Sequence, residues 1–228
     1  MCGILAVLGT PIIDRAQLLR CSAKQRHRGP DWSGVYYDAK NGIALAHERL
    51  SIVDIEHGAQ PLESENAVLI VNGEIYNHAS IDVPRRKGRR TNSDCEIILD
   101  MFEHVYTRTV CAPDEFAFVS SVKGIAKQLD GMFAFVLVFK QTGAAYIARD
   151  KQGVCPLYTG NDSSGRLWVA SELKALVEAC PDTCEVFPHN FDATFASFWD
   201  EDEGFKMFPR PIHDGIRTET ISFRGNKI

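Results

Sequence analysis

The sequence predicts an α+β fold built in layers. Three observations carry that prediction: many short runs of β-forming residues, amphipathic stretches of helical spacing between them, and short turns instead of long linkers. No internal repeat and no low-complexity segment interrupts the pattern. Local periodicity does not give strand order.

Taken along the chain, Gly3–Leu8 is a short apolar run that fits a buried strand. Residues 15–25 predict a short helix. Residues 35–46 read as two strands around the turn-like Lys40-Asn41-Gly42. Residues 67–71 are a further strand, ending in Asn72-Gly73. The clearest helix spans 95–106, where Cys95, Ile98, Leu99, Phe102 and Tyr106 fall at helical spacing; Ser93 and Glu96 make an S-x-x-E capping box ahead of it. Residues 122–129 predict a second helix. Residues 132–139, MFAFVLVF, are rich in β-formers and predict a central strand. Residues 144–148 and 167–170 add strands, and 172–179 a short helix. From Pro188 onward there are aromatics without periodicity, an acidic run at 200–203 and a polar end; this tail is expected to pack loosely or to need a partner. The basic run of Arg85, Arg86, Lys87, Arg89 and Arg90 reads as a solvated loop in preference to a nuclear signal, because it sits between Pro84 and the helix start.

Composition narrows the function classes. The 228 residues are 45% hydrophobic and 24% charged, ordinary for a protein with a real core. A net charge of −5 argues against a nucleic-acid binder working through overall charge. Mean hydropathy is −0.15, and no apolar run approaches the roughly 20 residues of a membrane span. The N-terminus has no basic residue before its apolar run and makes a poor signal peptide. The seven cysteines form no C-x-x-C pair, so buried free thiols and a reducing, cytoplasmic setting are expected.

Several residues can carry chemistry. Cys2 becomes N-terminal if Met1 is removed, and its α-amine can then take the thiol proton, so one residue holds nucleophile and base. The plainer alternative is a small buried hydrophobe at a strand start. His27 reads as a hydrogen-bonded loop histidine. Arg49 lies between apolar stretches and needs an anionic partner; a substrate carboxylate and an internal Asp serve equally. Asn72 and Gly73 make either an Asn-Gly turn or an oxyanion hole of one amide and one N–H. Asp94 at a helix start either complements the dipole or holds a substrate ammonium.

Nine segments in register, MCGILAVLG, RHRGPDWSG, AHERLSIVD, GAQPL, VNGEIYNH, TNSDCEIIL, LDGMFAFVLV, ARDKQGVCPLY and ASELKAL, resemble the N-terminal glutaminase domain of asparagine synthetases. These are class II glutamine amidotransferases of the N-terminal-nucleophile (Ntn) hydrolase fold. The resemblance implies a four-layer αββα sandwich of two antiparallel sheets over residues 1–187, followed by a divergent tail over 188–228. It implies that Cys2 attacks the glutamine amide, that Asn72 and the Gly73 N–H form the oxyanion hole, and that Arg49 binds the α-carboxylate. Glu74 and Asp94 would hold the α-ammonium, helped by carbonyls near Ile52 and Val53. Trp32, Phe133, Phe135 and Trp168 then read as core or lip residues. No metal and no cofactor is expected, since His47, His57, His78 and His104 lack ligand spacing.

The sequence departs from the family in four places. Residues 79–90 are short and basic where a longer helix is usual. Asn92 stands where Gly is common. Residues 107–122 look like an insertion, with Cys111-Ala112-Pro113 as loop. No SGGLDS phosphate loop follows, so any ammonia acceptor is expected to be a separate ATP-dependent synthetase domain or subunit. An enzyme releasing ammonia from glutamine is the favoured reading. A truncated, non-catalytic glutamine-binding or regulatory module is the main competitor; a self-processing amide hydrolase fits less well, since Arg49 and Asp94 match an amino-acid clamp.

Overall fold

The computed structural model describes residues 1–109, 115–187 and 194–196. β1 (Gly3–Leu8), β2 (Trp32–Asp38) and β3 (Ile43–Arg49) follow one another, with α1 (Arg15–Ala23) after the first. β4 (Leu62–Glu63) and β5 (Ala67–Ile75) precede α2 (Glu96–Thr109) and α3 (Glu115–Gln128). β6 (Gly131–Phe139), β7 (Ala145–Arg149), β8 (Tyr158–Asn161) and β9 (Leu167–Ala170) come next, then a 3-10 turn at Leu173–Ala175, β10 (Glu185–Val186) and β11 (Thr194–Ala196).

The strands form two sheets, ordered β10-β8-β9-β1-β3-β2 and β11-β7-β6-β5-β4. Every pairing is antiparallel. Side chains alternate across a strand, so each central strand feeds two apolar layers. Ile4, Ala6 and Leu8 of β1 meet Val68 and Ile70 of β5 and Ala134, Val136 and Val138 of β6 between the sheets. Leu5 and Val7 turn the other way, onto Leu18 and Cys21 of α1 and Ala175 of the 3-10 turn. Leu69 and Val71 of β5 and Phe133, Phe135 and Leu137 of β6 pack under Ile98, Phe102 and Val122 of α2 and α3. Phe102 stacks on Phe139 with ring centroids 4.9 Å apart. Helix, sheet, sheet, helix is therefore the observed order of layers, the αββα sandwich that the resemblance implies.

Five expectations need correction. β5 does not end at Asn72-Gly73; it runs on to Ile75, paired with β6 throughout. The capping box is not formed: the Ser93 hydroxyl accepts from the Cys95 N–H, and Glu96 bonds Arg86 instead. The basic run is not merely solvated, because Arg85, Arg86 and Arg89 all reach the buried carboxylate of Asp100. The second helix, expected at 122–129, is longer and spans Glu115–Gln128, while α2 runs on to Thr109; Cys111-Ala112-Pro113 lies outside the described residues. The helix expected at 172–179 shrinks to one 3-10 turn. Residues 79–90 carry turns and bends and no helix, in line with the shortened segment read from the sequence. The acidic run at 200–203 lies outside the described residues, and of the tail the structure describes β11, which pairs with β7.

Candidate active site

One end of the sandwich collects the residues singled out above. Cys2 heads β1, and Arg49 ends the neighbouring β3. Arg49 shares the strand parity of Ile43 and Leu45, which face the inter-sheet layer. Asn72 and Glu74 share the parity of Val68 and Ile70 and reach the same space from the second sheet. Asp94 lies two residues before α2, and its Oδ2 accepts from the Ile75 N–H at 2.5 Å, which ties the approach to the helix to the end of β5. Cys2, Arg49, Ile52, Val53, Asn72, Gly73, Glu74 and Asp94 all line one pocket, together with Leu50, Gly58, Gln60, Cys95 and Met132. The cavity volume is about 100 Å³, and the pocket opens to solvent.

Each group has a distinct environment. The Cys2 thiol accepts from the Leu50 N–H at 3.4 Å. Burial pushes its pKa up; the Leu50 backbone, the chain terminus, Arg49 and Arg28 pull it back only in part. Asn72 is fully buried, and neither its Nδ2 nor its Oδ1 has a partner among the described residues. Such an orphaned amide costs on the order of 1–3 kcal/mol unless a ligand satisfies it. Gly73 has φ 148, and a Cβ there would stand 2.0 Å from the Met132 carbonyl oxygen, so no larger residue fits. Glu74 makes no side-chain hydrogen bond or ion pair among the described residues.

Of the two partners weighed from the sequence, an internal Asp carboxylate does not meet Arg49 among the described residues. Its guanidinium, on a residue only 6% exposed, donates to the Ile55, Val53 and Asp54 carbonyls at 3.1, 3.2 and 2.7 Å. No carboxylate lies within ion-pair distance of it among the described residues. The loop supplying those carbonyls is held in turn by Asp54, whose carboxylate accepts from the Asn92 N–H at 2.7 Å. That hydrogen bond leads the influences holding the Asp54 carboxyl below its ordinary pKa. Ile52 and Val53 present their side chains outward, and the Val53 carbonyl is already engaged by Arg49.

Some contributors carried no sequence signal beyond lying in a quoted segment. Gly58 is needed beside Arg49, because a Cβ would come within 2.6 Å of Nη2. Gln60 bonds both backbone groups of Val71 with its side-chain amide, continuing the ladder where β4 stops. Trp32, 58% exposed, is a lip residue, whereas Trp168, Phe133 and Phe135 are core. His27 pairs with Glu172 at 2.8 Å, on the surface, as a loop histidine should. No group of three or more His, Cys, Asp or Glu among the described residues is placed to hold a metal ion.

The comparisons with known proteins agree with this geometry. Asparagine synthetase B [glutamine-hydrolyzing] of Escherichia coli (strain K12) is 44% identical over 195 residues, covering 82% of this chain and 32% of that protein. Asparagine synthetase [glutamine-hydrolyzing] 2 of Oryza sativa subsp. japonica is 41% identical over 186 residues, covering 79% and 28%. The chain thus spans about a third of the length of these relatives. Among solved structures, the allosteric regulatory enzyme of purine biosynthesis superposes with TM-score 0.60 at 19% identity, over 86% of this chain and 44% of that one. Glutamine phosphoribosylpyrophosphate amidotransferase from B. subtilis gives 0.57 at 18%, with the same coverage. At such identities the likeness concerns the fold, which is that of the Ntn-type amidotransferases. Residues 1–214 match the glutamine amidotransferase domain, and with the two sheets meeting over a cysteine at position 2, the chain belongs to that family.

Proposed function

We propose that the chain, once Met1 is removed, hydrolyses glutamine to glutamate and ammonia through Cys2. The observation that carries the reading is the Asn72 amide, buried without partners in the same pocket as the thiol. A developing oxyanion would accept from its Nδ2, with the Gly73 N–H as second donor. Glutamine offers one anion, one cation and one amide. Arg49 would take the α-carboxylate, exchanging or sharing its neutral carbonyl partners. Glu74 and Asp94, with the Ile52 and Val53 carbonyls, would take the α-ammonium.

The free α-amine of Cys2 accepts the thiol proton, and Sγ attacks the side-chain amide carbon. The tetrahedral intermediate collapses as the α-ammonium returns the proton to the departing nitrogen, which leaves as ammonia. Water then attacks the thioester, giving glutamate and the free thiol. The raised thiol pKa makes a proton acceptor necessary, and the amine is the base nearest at hand once Met1 has gone. We assign the ammonia to a separate ATP-dependent synthetase domain or subunit; asparagine as the product follows the relatives' names. The six described cysteines are free thiols, which supports a reducing, cytoplasmic compartment.

The test uses the chain with Met1 removed, verified by mass spectrometry, and measures glutamate and ammonia in equal amounts. Cys2→Ala should lose about a thousandfold or more, and Asn72→Ala about 10²–10³-fold in kcat. Glutamine binding without turnover in the wild type would overturn the reading in favour of a non-catalytic binding module.

A further inference from the structure

The N-terminal residue of a mature Ntn-type chain has no preceding peptide to hold it. Ile4, two residues on, is well anchored: its N–H donates to Ser171 Oγ at 3.1 Å, and its carbonyl accepts from the Ser171 N–H at 3.0 Å and Gln25 Nε2 at 3.1 Å. Cys2 is held differently. Its carbonyl accepts from Arg28 Nε at 2.8 Å. Arg28 is itself fixed by Glu172, whose Oε1 accepts from Nη1 at 3.3 Å. Glu172 follows Ser171 directly, so the segment leaving β9, the strand beside β1, carries both anchors. His27 shares Oε1 with Arg28 at 2.8 Å, and Lys174 holds Oε2 at 2.9 Å.

We infer that Glu172 is a positioning residue for the nucleophile: through Arg28 it fixes the Cys2 carbonyl, and with it the direction of the thiol and the amine. This rests on the catalytic reading of Cys2. Without the carboxylate, the guanidinium is free to rotate off the Cys2 carbonyl, and the terminal residue gains a torsional freedom that no other described main-chain hydrogen bond to Cys2 removes. Burial pushes the Glu172 pKa up, but hydrogen bonds from Lys174, His27 and Arg28 outweigh it and hold the group below its ordinary value, so it is ionised at neutral pH.

The experiment compares wild type, Glu172→Gln, Glu172→Asp and Arg28→Lys in the full chain without Met1. Two readouts are taken: kcat and KM for glutamine, and the rate of Cys2 alkylation by iodoacetamide from pH 6 to 9, followed by peptide mass spectrometry. Glu172→Gln should lower kcat by up to about 10²-fold with KM little changed, since misplacement of a reacting group by about an ångström has that effect. Glu172→Asp should recover part of the loss, and Arg28→Lys, which cannot bridge both partners as a fork, should resemble Glu172→Gln. The alkylation profile of Cys2 should shift in the same variants. Unchanged alkylation in a folded Glu172→Gln protein, or a raised KM at constant kcat, would overturn the inference. If the wild type shows no glutamine turnover, the catalytic reading fails, while the alkylation profiles still decide whether Glu172 governs the thiol. Should Glu172→Gln not fold, Glu172→Asp and Arg28→Lys carry the same comparison.

Discussion

His47 shows how burial alone sets the chemistry of a residue. It sits on β3 two residues before Arg49, fully buried, with Nε2 3.3 Å from the Val71 carbonyl and Nδ1 unpartnered. Burial drives its pKa down to about 3; the Val71 carbonyl opposes this and Arg49 adds to it. The neutral ring therefore donates from Nε2 and bridges the two sheets beside the pocket. The sign of the pH dependence follows. In the unfolded chain this imidazole titrates near its ordinary value, about 6.5. Between there and about pH 3 the unfolded state binds a proton that the native state refuses. Its contribution is full above pH 6.5 and is lost as pH falls, by about 1.4 kcal/mol per pH unit. His47→Gln should remove this slope. Urea unfolding of both proteins between pH 6 and 4 checks it: wild type should lose about 1.4 kcal/mol more per unit than the variant. Parallel slopes would show that the imidazole is reached by solvent or protonated in the fold.

At the level of elements, the start of α2 shows where local pattern misleads. Ser93 and Glu96 have the right spacing for a capping box, and the pattern ignores the third dimension. Glu96 and Asp100, one turn apart, are both buried, and a buried carboxylate needs a cation more than a helix needs a second cap. The segment 85–90 supplies it. Arg86 Nε donates to Asp100 at 2.9 Å while its Nη2 bonds Glu96, and Arg85 and Arg89 approach Asp100 at 3.6 and 3.5 Å. Burial still leaves the Glu96 pKa raised, with Arg86 as the chief counterweight. The basic run is thus a strap across α2, in the place where the family usually has more helix. Arg86→Met, which takes the ion-pair partner from buried Glu96 and leaves Asp100 only the longer contacts to Arg85 and Arg89, should cost about 3–5 kcal/mol, and Arg86→Met combined with Glu96→Gln and Asp100→Leu should recover much of it. Chemical denaturation of the single and triple variants measures both. A single variant within about 0.5 kcal/mol of wild type would mean that the strap is solvated after all.

For the whole molecule, most of what lies within one segment was legible in advance, and what lies between segments was not. Gly3–Leu8 and Leu167–Ala170 match their observed strands, because a run buried on both faces reads as continuous apolar sequence. That these two strands are neighbours, with β3 on the other side, depends on pairing between distant residues, which no local period encodes. The resemblance brought Cys2, Arg49, Asn72 and Asp94 onto one page; Gly58, Gln60 and the Arg28–Glu172 link became visible only through their contacts. The architecture also divides the candidate site between two sheets, with Cys2 and Arg49 on one and Asn72 and Glu74 on the other. Any loosening of the inter-sheet layer should then separate thiol from amide, whereas loosening an outer layer should not. Adjacent residues of β5 allow a matched comparison. Ile70 faces the other sheet and Leu69 faces α2 and α3, and both are fully buried. Ile70→Ala and Leu69→Ala should each cost about 2–5 kcal/mol. At a temperature where both variants remain folded, Ile70→Ala should lose markedly more glutamine hydrolysis than Leu69→Ala. Equal activity at equal loss of stability would mean that the two halves of the site are held together by their loops, with the sheet-to-sheet packing contributing stability alone.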